Sequence, residues 1–251
     1  MIRLKINRVD YNNNNTPILS KIEIEKYARE VLADYKPHLL KEPGSIGYQH
    51  FLENYLELTL LFRDIYNENP KNPVFGALNF DKCTVKVFDR ENERIKAELM
   101  PADSVIIDNF VTQSGREGMA NFNGAHEGAH YLIHSGITFP AKTRRILCHH
   151  ENVEDSKIGS TENRTNKWIE FQANYFAASF TMFNGTFIPL VNDYLRKHNI
   201  WTRSIKLGVD DDLDILGNDL LPEYIAEIYD VSKQAAFNKL KTTGFIDAQI
   251  Y

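Results

Sequence analysis

The residues best equipped for chemistry in this chain are His126-Glu127-Gly128-Ala129-His130, an H-E-x-x-H run. Histidines at i and i+4 share one face of a helix, so both imidazoles can meet on a single zinc ion. The intervening glutamate then lies beside the open position of the metal, where it can serve as general base toward a water molecule. That is zinc hydrolase chemistry. A surface helix with incidental histidines would spell the same five residues, so a catalytic assignment needs a third protein ligand and elements that bring it close.

The flanks suit a helix. Asn121 and Asn123 precede the run and are expected to act as N-caps, and Tyr131-Leu132-Ile133-His134 continues it with mostly apolar residues. Candidates for the third ligand are His134, His149, His150, Glu151, Glu154 and Glu170. His134 lies two turns from His126, roughly 12 Å along the axis, so it cannot share the ion. A hydrogen bond behind a ligand, or simple exposure, suits His134 better. Cys148-His149-His150 are adjacent, and adjacent residues point in different directions on any regular element. Glu170 has the better setting, because Ala173, Ala177 and Ala178 follow it at helical spacing and would let its helix approach the motif helix closely. A solvated glutamate above an ordinary alanine-rich packing face fits the same spacing. Spacing therefore leaves the third ligand open.

Around these residues the chain reads as α+β, mostly helical, with a small antiparallel sheet beside the metal-binding helix. Ser20 should cap a helix reaching Tyr35, stopped by Pro37, with Ile22, Ile24, Tyr27, Ala28, Val31 and Leu32 along much of one face. A second helix is expected over 48–66 and a turn over 67–73. The period then changes, and 74–80, 83–89, 95–100 and 104–108 read as strands of an antiparallel meander. Alternation puts Cys83, Val85 and Val87 on one face, which makes Cys83 a small core residue. A polar segment over 148–166 should lie on the surface, followed by a helix over 166–182, an acidic loop over 210–214 and two short helices around Ser232.

Composition narrows the classes. The 251 residues are 43% hydrophobic with a formal net charge of −5, so no general affinity for nucleic acid or anionic membrane is expected. No apolar run is long enough to cross a membrane, the start carries no secretory pattern, and two cysteines make no disulfide framework. A reducing, cytoplasmic setting fits best.

The stretch Phe122-Asn123-Gly124-Ala125-His126-Glu127-Gly128-Ala129-His130 through His134 resembles the F-T-x-A-H-E-x-x-H core of the ImmA/IrrE zinc metallo-endopeptidases. Glu170-Phe171-Gln172-Ala173-Asn174-Tyr175-Phe176-Ala177-Ala178 resembles that family's E-x-x-A-N-x-F-A-A segment. Weaker likenesses, in 104–108 and in the C-terminal helices, extend the match to about residues 20–245. The resemblance implies a zincin-like protease core over 1–200 and a helix-turn-helix-like C-terminal segment over 201–251 for packing or substrate recognition. It implies Zn2+ held by His126, His130 and Glu170, with Glu127 as general base. Tyr131, His134 and Tyr175 are the nearby candidates for an oxyanion donor, and no spacing selects one. The implied substrate is a protein partner, a helix-turn-helix repressor of a mobile element or stress operon. It would pair as an extended strand along Ser104–Asp108. Asn123 replaces the usual Thr, Ala129 the common Gly and Phe183 the frequent Pro, and 39 residues separate His130 from Glu170. None of these departures removes a ligand.

A different class competes. Ile225 to Phe237 has the rhythm of a helix-turn-helix, which suits a DNA-binding regulator or a non-cleaving anti-repressor. From Leu221 to Gly244 there are three Lys against two Glu and one Asp, a neutral segment, whereas phosphate binding wants a basic face.

Overall fold

A computed structural model describes residues 9–10, 15–68, 73–137, 145–149, 161–201 and 204–248. The fold is α+β. A short β1 (Val9–Asp10) pairs antiparallel with β2 (Thr16–Pro17) and leads into α1 (Lys21–Tyr35). Ser20 Oγ accepts from the Glu23 N–H at 3.3 Å, and the Glu23 carboxylate accepts from the Ser20 N–H at 2.8 Å, the reciprocal cap expected at this end. Pro37 cannot continue the helix and opens a short 3-10 turn. Ile24, Tyr27, Ala28, Val31 and Leu32 form the buried face. Ile22 does not join them: two residues before Ile24 it points about 200° round the helix, and it is 78% exposed.

The expected helix over 48–66 is cut short. Helix α2 (Tyr48–His50) runs on only through a wider π turn to Tyr55, and Glu57 adopts a left-handed backbone with φ 58°. The chain then extends as β3 (Thr59–Arg63). A Leu- and Phe-rich run has no periodicity that separates helix from strand, and here the ladder offered by a distant strand wins. That partner is β7 (Ser104–Asp108), which runs parallel to β3, with Thr59 opposite Ser104 and Arg63 opposite Asp108. On its other side β7 pairs antiparallel with β4 (Val74–Asn79), Gly76 lying opposite Ile107.

Strands β5 (Cys83–Asp89) and β6 (Arg94–Met100) form a separate hairpin, and β8 (Arg145–His149) covers the outer edge of β4. The main sheet therefore has the order β3-β7-β4-β8 and is mixed, in place of the expected meander. All five residues of β7 are buried, the mark of a strand covered on both faces. Cys83, Val85 and Val87 are buried on one face of β5, and the Cys83 thiol donates to Asn79 Oδ1 at 3.0 Å. The expected surface loop over 148–166 is displaced at both ends by regular elements, because Cys148 and His149 belong to β8 and 161–166 open a helix. His150, Glu151 and Glu154 lie outside the described residues, as do residues 69–72 of the expected turn.

Behind the sheet lies α3 (Glu117–His134), packed against α4 (Thr161–Thr181) more extensively than any other pair of helices among the described residues. These two helices share a core with α1, the inner residues of the sheet and the π turn. A second core begins at Met182 and joins α5 (Asn184–Lys197) to the C-terminal elements. Those elements are β9 (Ile205–Leu207), α6 (Asp211–Ile215), α7 (Leu221–Tyr229), α8 (Lys233–Thr242) and β10 (Ile246–Ala248), which lies parallel to β9. The acidic run forms a helix instead of a loop. Asp210 caps α6, accepting from Leu213 N–H at 3.0 Å, and the remaining aspartates sit in its first turn, where the helix dipole favours negative charge. Ser232 caps α8 as expected, accepting from Ala235 N–H at 3.1 Å. No described helix is long and apolar enough to cross a membrane.

Candidate metal centre

Helix α3 starts four residues before the first expected cap, Asn121, because Gly115 turns the chain with φ 83° and Glu117 takes up helical geometry. Asn121 and Asn123 consequently sit inside the helix. Asn123 bonds back to Met119 O at 2.8 Å. Asn121 does cap helices, but not its own. Its Oδ1 accepts from Tyr48 N–H, the first of α2, at 3.1 Å, and its Nδ2 donates to Asp230 O, just past the end of α7, at 2.8 Å. This wholly buried side chain pins α2 and the α7–α8 turn to α3, little more than one turn before His126.

His126, Glu127 and His130 all lie on the buried side of α3. The third member of the cluster is Glu170 of α4. Its Oε2 lies 3.2 Å from His126 Nε2 and its Oε1 3.4 Å from His130 Nε2, while the two Nε2 atoms are 2.8 Å apart. Tetrahedral zinc with ligand bonds of about 2.0–2.1 Å places its ligand atoms about 3.3 Å from one another. The observed separations, 2.8 to 3.4 Å, are close to that size. Among the described residues these three are the group of ligand-type side chains able to hold a metal ion. Ala173 and Ala177, on the same face of α4 as Glu170, are wholly buried, as a close helix–helix approach requires.

Both histidines of the cluster are held from behind. His126 Nδ1 meets Asn174 Oδ1 at 3.0 Å, and His130 Nδ1 meets His134 Nδ1 at 2.9 Å. His134 Nε2 reaches Gln172 Oε1 at 2.9 Å, and Gln172 donates through Nε2 to Pro17 O at 2.8 Å. With Nδ1 occupied on each ring, the Nε2 atoms face the centre of the cluster. Burial pushes His134 down to about 3 and lowers His130 as well, which favours the neutral form of both imidazoles.

Glu127 is placed for a different task. Its side chain turns from the helix toward β4, where a Cβ added at Gly76 would meet Oε1 at 2.3 Å. Both carboxylate oxygens are buried and lack a hydrogen-bond partner among the described residues. Burial drives this carboxyl up to about 8. An unpartnered buried carboxylate beside converging ligand atoms suits an ion and its water, which would bring both opposite charge and a hydrogen-bond donor.

The remaining candidates fall elsewhere. The Tyr175 hydroxyl donates to Glu25 Oε1 on α1 at 2.5 Å, and the Tyr131 ring stacks on Phe80, centroids 6.4 Å apart. His134 stands behind His130, with both ring nitrogens engaged. His149 lies on β8. Ser104–Asp108 is an interior strand whose two edges are spent on β3 and β4, so it has no edge left for a substrate. The strand beside Glu127 is β4, and its outer edge carries β8 with a bulge at Phe75. Sequence reasoning missed Gln172, Asn174, Gly76 and Pro17. The first two stand two and four residues after Glu170, a polar rhythm that could have marked them; Gly76 and Pro17 carry no local signal.

No protein-family model matches the chain, and no curated protein matches it either.

Proposed function

We propose that the chain is a zinc-dependent, site-specific endopeptidase of the ImmA/IrrE type, with a zincin-like core and a cytoplasmic protein substrate. The observation that supports this most directly is the convergence of His126 Nε2, His130 Nε2 and the two Glu170 carboxylate oxygens at 2.8 to 3.4 Å, with the unpartnered Glu127 carboxylate alongside. A zinc ion bound there would supply Lewis acidity to a water molecule and to the scissile carbonyl. Glu127, buried beside the ligand atoms, is placed to take the proton from that water and return it to the leaving amine. Asn174 and His134 hold the two imidazoles so that no reorientation is needed during turnover. The substrate in this reading is a helix-turn-helix repressor, engaged with help from the α7–α8 pair that Asn121 ties to the metal helix.

Metal analysis and co-expression test it together. Purified protein should hold about one zinc per chain. Glu170→Ala should lose the zinc, while Glu127→Gln should keep it and fail to cleave the repressor encoded beside the gene. Full zinc retention by Glu170→Ala, or undiminished cleavage by Glu127→Gln, would overturn the assignment.

A further inference from the structure

We propose that Gln172 is a positioning residue of the metal centre, anchored by the Pro17 carbonyl so that it dictates which nitrogens of His134 and His130 carry protons. Pro17 O can only accept a hydrogen bond, so the Gln172 amide must turn its NH2 toward it, at 2.8 Å. The amide oxygen then necessarily faces His134 Nε2, at 2.9 Å, and His134 must carry its proton there. A neutral imidazole has one N–H, so His134 Nδ1 is bare and can only accept. His130 Nδ1, 2.9 Å away, is therefore the donor, and His130 Nε2 is left as a lone pair aimed at the cluster. His130, His134 and Gln172 are all 0% exposed, so water cannot reset the polarity of the chain. The Trp168 indole N–H also donates to Pro17 O, at 3.2 Å, which fixes that carbonyl from a second side. A strand at the start of the chain thus ends a relay that begins at a metal ligand.

The inference rests on the metal-binding half of the proposed function and needs no proteolysis. Long-range 1H–15N correlation spectra of the metal-free full chain read the tautomers directly. Wild type should show His130 protonated on Nδ1 and His134 on Nε2. Gln172→Glu, whose protonated acid can donate to Pro17 O and still accept from His134, should retain both tautomers and a zinc affinity close to wild type at pH values where that acid is protonated. Gln172→Met, which offers no donor and only a weak thioether acceptor, should show mixed tautomers and roughly ten- to hundredfold weaker zinc binding in competition with a chromophoric chelator. Wild-type tautomers of the opposite sense would overturn the proposal. So would Gln172→Met binding zinc like wild type, or Gln172→Glu weakening as much as Gln172→Met. A protein that binds zinc but cuts nothing would sink the protease reading and leave this one standing.

Discussion

Replacing Glu127 by Gln should change the stability of the metal-free protein by an amount that depends on pH. The side chain is 0% exposed and neither oxygen has a hydrogen-bond partner among the described residues, so ionising it inside the fold is costly. Its carboxyl titrates at about 8 when folded, against an ordinary 4.5. Between those values the folded chain keeps a proton that the unfolded chain has released, so stability falls as pH rises through this window and levels off above it. A tenfold change in proton affinity corresponds to about 1.4 kcal/mol, which makes the full cost about 5 kcal/mol. Gln is neutral throughout, and its own burial adds only a constant offset. The stability of Glu127→Gln relative to wild type should therefore rise by about 4 kcal/mol from pH 5 to pH 9, most of the cost falling inside that range. Urea melts of both proteins across that range, with chelator present, measure it. A difference that stays flat with pH would refute the claim that Glu127 is a desolvated carboxylate. Added zinc should shrink the difference at high pH, since a nearby cation favours the charged form.

Two further outcomes follow from the same geometry. Gly76→Ala would put a methyl group 2.3 Å from Glu127 Oε1, so Glu127 must move. Zinc content should persist while cleavage falls on the order of a hundredfold, and metal analysis beside a cleavage assay checks both. Lys239 is 5% exposed, and burial lowers its ammonium from 10.5 to about 8, so the folded state is penalised wherever that group is charged. Lys239→Met should stabilise the protein by roughly 3 kcal/mol at pH 7, with the gain fading as pH climbs from about 8 to 10.5, where the unfolded chain also loses the proton. Thermal melts at pH 7 and pH 10 test this, and a gain that is the same at both would contradict it.

Much of the local structure was legible before folding. The Ser20 cap, the alternation that buries Cys83 and Val85, and the helical spacing of His126 and His130 depend on neighbours a few residues away. Errors arose where a distant partner decided the outcome. Residues 59–63 became a strand because β7 lay free to pair, and Asn121 became a cap for two other helices because α2 and the α7–α8 turn end against it. The substrate edge was misplaced for a similar reason: whether a strand is interior depends on its neighbours, and β4, not β7, borders Glu127.

By itself the sequence determined the chemistry on offer, two imidazoles and a carboxylate on one helix face, because side-chain types and a 3.6-residue period suffice for that. It could not choose Glu170 from its spacing alone, nor reveal that Pro17, Gln172 and His134 line up behind His130. Tertiary structure decided those points. They depend on bringing together groups 38 to 155 residues apart, and only the packing of α4 against α3 and of the N-terminal strand against both does so.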